Sequence, residues 1–73
     1  MNLTKQEEHL KTRLAKRLTR LRGERSQREL ARQAGIFHTM IGKFESGERM
    51  PGPFMLMRLA KVFGCSVDEL LGV

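Results

Sequence analysis

Leu10, Leu14, Leu18 and Leu21 recur at the three- and four-residue spacing that lines one face of a helix, and Gly23 supplies the stop. Thr4-Lys5-Gln6-Glu7, ahead of them, has the form of a capping box, so the pattern predicts a first helix over about 5–22. Ser26-Gln27-Arg28-Glu29 repeats the capping signature and is followed by Leu30, Ala31 and Ala34 before Gly35. The second helix is therefore short. Ile36 and Phe37 lead into a third segment, about 38–45, with Phe37, Ile41 and Phe44 expected on one inward face and Ser46-Gly47 as its end. Pro53 suits the first turn of a fourth helix that faces Leu56, Leu59, Ala60 and Phe63 inward and ends at Gly64. Ser66-Val67-Asp68-Glu69 opens a short fifth helix carrying Leu70 and Leu71.

Strand-like alternation of apolar and polar residues does not occur, which predicts an all-α chain. No repeat, low-complexity tract or linker divides it, and 73 residues are enough for one domain with a small core, expected over 1–73.

The second and third helices, about 27–45 together, are joined only by Gly35, Ile36 and Phe37. So short a glycine-containing connection turns the chain sharply, which is helix-turn-helix geometry. The crossing needs a small residue where the helices touch, a glycine at the bend and apolar wedges. Ala31, Gly35 and the set Leu30, Ile36, Ile41 and Phe44 fill those slots. Opposite Ile41 and Phe44 stand His38, Thr39, Gly42 and Lys43, which the core does not need. Lysine and histidine can donate to the guanine acceptors O6 and N7, and threonine can hydrogen-bond or pack on a thymine methyl. Gly42 costs a helix roughly 1 kcal/mol relative to alanine, for which close backbone approach to DNA is one compensation. The start of the second helix, at Gln27, presents free N–H groups to an anion.

Ser26 to Ala31, Gly35, Ile41, Phe44-Glu45, Gly47, Pro51, Leu59-Ala60-Lys61, Gly64 and Asp68 to Leu71 stand in one register, and with them the chain resembles the Cro and phage-repressor type of helix-turn-helix family. The resemblance covers most of the chain. It implies a compact five-helix bundle of the phage-repressor-like DNA-binding type, whose third helix lies in the major groove while the second crosses the phosphates. His38, Thr39 and Lys43 match the family's reading positions, Gly42 replaces its usual polar residue, and Gln27 matches a phosphate-contacting one. Arg28, Arg17 and Arg49 are further phosphate candidates. The resemblance also implies that Glu45 pairs with an arginine of the first helix: ungapped alignment selects Arg20, and the leucine pattern selects Arg22.

Charge adds a partner to this picture. The net charge is +6, and residues 1–36 supply all of it, with ten Lys/Arg against four Glu. That imbalance points to a polyanion and to salt-dependent binding. The longest apolar run is far too short to cross a bilayer, so no membrane role is expected and the location expected is cytoplasmic. With one cysteine and two histidines no metal site is expected, nor a cofactor or small-molecule ligand, and Cys65 is expected to be a small core residue. No nucleophile-base pairing, carboxylate cluster or phosphate-cradling glycine loop points to an enzyme.

Phe54 and Met55 stand where the family usually carries polar residues, with Met50 nearby, and predict an exposed apolar patch. The readings this leaves open are a repressor that binds an inverted-repeat operator as a homodimer through Phe54, Met55 and Val73, an antitoxin-like DNA-binding partner of another protein, and a general nucleic-acid binder. The family usage favours the dimer, with half-sites about 34 Å apart. Residues Thr4 to Leu10 extend the first helix by about two turns beyond what the family domain requires.

Overall fold

A computed structural model of the chain describes the backbone of residues 3–73 and the side chains from Lys5 onward. Five helices follow one another, α1 (Leu3–Arg22), α2 (Gln27–Ala34), α3 (His38–Ser46), α4 (Pro53–Phe63) and α5 (Val67–Leu71), and the described residues form no strand. The expected box at Thr4 does not open α1, which already runs at Leu3, and the Thr4 side chain lies outside the described ones.

The core collects one apolar stripe from each helix. Leu14 and Leu18 of α1, Leu30 of α2, Ile41 and Phe44 of α3, Leu59 of α4 and Leu70 of α5 are each no more than 2 % exposed. Around them α2 packs on α3 and α4, and α1 on α3 and α5. Leu21, Phe63 and Cys65 are partly buried against this cluster. The arrangement leaves α2 and α3 supported from behind and free on their outer faces.

Capping accounts for where the helices begin. Ser66 and Glu69 form the full reciprocal box, with Ser66 Oγ accepting from the Glu69 N–H at 3.0 Å and the Glu69 carboxylate accepting from the Ser66 N–H at 3.1 Å. At α2 only half of the box forms. Ser26 Oγ accepts from the Glu29 N–H at 3.0 Å, while the Glu29 carboxylate stands 3.9 Å from Arg32.

Between α2 and α3 the chain turns through Gly35 at φ 69°, a left-handed conformation that glycine adopts without strain. The next residue closes the end of α2: the Ile36 N–H donates to Ala31 O at 2.9 Å, and both side chains are buried. That placement decides the fate of Phe37. Expected inside with Ile41 and Phe44, it is 82 % exposed. Phe37 is the N-cap of α3, in extended backbone at φ −62° and ψ 137°, so helical spacing does not carry its side chain to the inner face. It also gives the helix no side-chain cap. Serine here would accept a first-turn N–H at little cost in buried apolar area. Phe37→Ser is therefore expected to stabilise the protein by about 1 kcal/mol, a rise of roughly 5 °C in a thermal melt.

Candidate nucleic-acid interface

Helix α3 turns Ile41 and Phe44 into the core, and the stripe opposite them faces out. His38, Thr39 and Lys43 are exposed, and Gly42 is half-buried. Met40, between them in sequence, packs partly against the core. The Lys43 ammonium stands 4.0 Å from the Glu48 carboxylate, with both side chains well exposed. A pair that loose and wet is worth little and leaves the lysine available to another anion.

Behind this stripe sits a charged network that fixes α3 to α1 and α2. Arg22 donates to Glu45 twice, from Nε at 2.7 Å and from Nη2 at 3.0 Å, and its Nη1 donates to the Arg25 carbonyl at 2.6 Å. The Glu45 side chain is 6 % exposed and that of Arg22 20 %. Arg20, about 200° away around α1, stands exposed instead. The Glu45 hydrogen bond raises the Arg22 guanidinium above its ordinary pKa, against the lowering effect of burial. Gln27 completes the network, its Nε2 donating to Glu45 Oε1 at 3.0 Å. The Gln27 side chain thus bridges the first turn of α2 to the far end of α3.

Of the other phosphate candidates, Arg28 and Arg49 are exposed. Arg17 is half-buried and turned toward the C-terminal turn, its Nη2 3.8 Å from the Cβ position of Gly72, beside Arg13, which donates to Gly72 O at 3.3 Å. The structure therefore gathers His38, Thr39, Gly42, Lys43 and Gln27 and leaves Arg17 apart from them. The first turns of α1 run beside the α3–α4 connection, where Glu7, Glu8 and Lys11 share an open groove of about 490 Å³ with Glu48, Arg49 and Met50.

Two arginines have structural duties that the sequence pattern did not reveal. Arg25 donates to Leu21 O at 3.1 Å, to Arg22 O at 3.2 Å and to Gln33 Oε1 at 3.0 Å, and lies 5.3 Å from the Phe63 ring centroid. It closes α1 and ties the α1–α2 connection to α4. Arg58 of α4 donates to Gly35 O at 2.9 Å and so braces the turn between α2 and α3. The Arg25 bonds to Leu21, Arg22 and Gln33 are local, whereas its contact with Phe63 and the Arg58 bond to Gly35 are long-range, and no local spacing signals those two.

Apolar side chains remain outside. Phe54, Met57 and Val73 are 77, 59 and 75 % exposed and Met50 is 38 %, whereas Met55 is partly buried against the core. Phe37 and Met55 line an open groove of about 420 Å³ between α2 and α4.

A sharp three-residue turn, a helix docked across it by its apolar face and a free polar face at that helix's N-terminal end define a helix-turn-helix DNA-binding protein. The helix-turn-helix family model matches residues 16–70, and the chain belongs to this family, in its Cro and phage-repressor type. No curated protein and no solved structure matches the chain. The match begins inside α1, so the first turns of that helix lie outside it. Among the described residues no helix is long and apolar enough to cross a membrane.

Proposed function

We propose that this DNA-binding regulator is a repressor that binds an inverted-repeat operator as a homodimer, reading each half-site with α3. The observation that carries the reading is the stripe His38, Thr39, Gly42 and Lys43, exposed or half-exposed and unused by the core, on a helix whose other end is braced by Arg22, Glu45 and Gln27. In this reading the stripe meets base edges, and phosphates meet Arg28, Arg49 and the free N–H groups at the start of α2 beside Gln27. Arg17 serves the phosphates less directly, from its place near Gly72. The protein acts by occupying DNA, without catalysis or cofactor, in the cytoplasm. Exposed Phe54 and Val73, with Met55 at the edge, support a surface for the second copy.

Exposed Phe37 and Met57 also favour a second reading, in which a different protein holds this chain as a DNA-binding partner.

Selection of binding sites from randomised duplex DNA tests the proposal, with Lys43→Ala beside the parent. The parent is expected to enrich a two-fold symmetric motif, and Lys43→Ala to lose roughly tenfold discrimination at one base pair of each half-site, the scale of one good base contact. Enrichment of a single half-site argues against the homodimer. Binding that fades with salt and selects nothing argues for a general nucleic-acid binder.

A further inference from the structure

The Gln27 side chain stands at the front of the helix pair and is held there by one hydrogen bond. Its amide nitrogen faces Glu45 Oε1 at 3.0 Å. An ionised carboxylate only accepts hydrogen bonds, so this contact settles which end of the amide points where: nitrogen toward Glu45, oxygen away. Glu45 is itself held by two bonds from Arg22, so the anchor is rigid.

The oxygen that points away lies against Gly42. A Cβ built at Gly42 stands 3.5 Å from Gln27 Oε1, an ordinary contact distance. Among the described residues none donates a hydrogen bond to Gln27 Oε1. Among the described residues no buried side-chain oxygen or nitrogen lacks a partner, so this oxygen reaches solvent. Gly42 follows His38 by four residues and Thr39 by three, which places the gap left by its missing side chain on the same stripe.

When DNA displaces the water from this oriented acceptor, a donor must take the water's place. The sugar-phosphate backbone of duplex DNA offers none, whereas in the major groove adenine N6 and cytosine N4 each present an amino group. We propose that Gln27 is a base-reading residue, whose carbonyl oxygen, aimed by Glu45 through the gap at Gly42, accepts from the exocyclic amino group of an adenine or cytosine. The inference rests on the reading that α3 meets DNA. Gly42 is then the opening through which a side chain of α2 reaches a base edge, and the family's usual polar residue at that position is absent because it would fill the opening.

The experiment compares the parent with Gln27→Met and Gly42→Ala in site selection, followed by affinity measurements on single-base variants of the selected duplex at two salt concentrations. Methionine keeps the length and bulk of glutamine without the acceptor. Alanine fits the fold, favours the helix and is expected to raise the melting temperature, so a loss of reading in Gly42→Ala is not a loss of folding. At one position of each half-site the parent is expected to prefer adenine or cytosine on one strand by roughly three- to tenfold, the scale of one hydrogen bond. Both variants are expected to abolish that preference and to keep the others. A Gln27→Met variant that binds all sequences more weakly by the same factor, with a shallower salt dependence, would show a phosphate contact and overturn the inference alone. So would a Gly42→Ala variant that keeps the preference. A parent that selects no sequence overturns both this inference and the reading beneath it.

Discussion

Phe44→Ala is expected to remove about 4 kcal/mol of stability, the usual cost of deleting a fully buried phenyl ring together with the cavity it leaves. Phe44 is 2 % exposed and is the largest of the fully buried side chains. A domain of this size has roughly 4–11 kcal/mol in total. Loss of Phe44 therefore takes a large share of the stability, and α3, which packs on both α1 and α2, loses its anchor. Urea denaturation followed by circular dichroism measures it. The expected result is a midpoint far below that of the parent, with Phe44→Leu between them. An alanine variant that melts within a few degrees of the parent would mean that α3 is not seated by this ring.

The second large effect belongs to Glu45. Glu45→Ala leaves the Arg22 guanidinium and the Gln27 amide facing each other without the carboxylate between them. Breaking a well-buried pair from one side costs about 3–5 kcal/mol, and because Arg22 is one-fifth exposed and can turn to water, about 3 kcal/mol is expected here. That corresponds to a fall of roughly 15 °C in melting temperature. Glu45→Gln keeps an acceptor and most of the shape, and its loss is expected to be about half as large. The Arg22 shift also fixes the sign of one pH effect. Its pKa is raised in the folded protein, chiefly by the Glu45 hydrogen bond, so the stability it contributes is complete below the ordinary arginine pKa. It is lost only as pH rises through strong alkali. Titration of Arg22 therefore contributes no slope to stability between pH 6 and pH 9.

Most of the fold was legible because the chain is heavily punctuated. Serines at 26 and 66 and glycines at 23, 35, 47 and 64 mark helix ends that propensity alone leaves vague. The leucine spacing in α1 and the small-residue contact at Ala31 then carried the packing. Phe37 shows the limit of such reading. Two apolar residues in succession follow Gly35, only one can turn inward, and the choice depends on the Ile36 N–H closing onto Ala31, which spacing does not encode. Arg25 and Arg58 show another. Each reaches a carbonyl or ring set by the packing of other helices, and on exposed faces an arginine so employed looks like any solvated charge. The partner of Glu45 was undetermined for a geometrical reason. Arg20 and Arg22 differ by two residues, so the length of the α1–α2 connection decides which one faces α3, and Arg22 is the last residue of α1.

At the candidate interface, the outward stripe of α3 was legible as residues the core has no use for. The Gln27 bridge was not. From the sequence Gln27 is a phosphate candidate at a helix start, and only the position of Glu45 one helix away turns its amide and gives Gly42 a purpose. The basic N-terminal half also divides on inspection: Arg22 and Arg25 are structural, Arg13 and Arg17 attend the C-terminal turn, and Arg28 stands free at the front of α2.

In the proposed function duplex DNA meets the protein through α3 and the start of α2. The most direct test is to follow backbone amide resonances while a duplex carrying the selected operator is added. The largest changes are expected at Gln27, Arg28, His38, Thr39, Gly42 and Lys43, with the α5 turn and the outer face of α1 little affected. Changes concentrated instead along the basic residues of α1, or at Phe37 and Met55 with α3 silent, would contradict it.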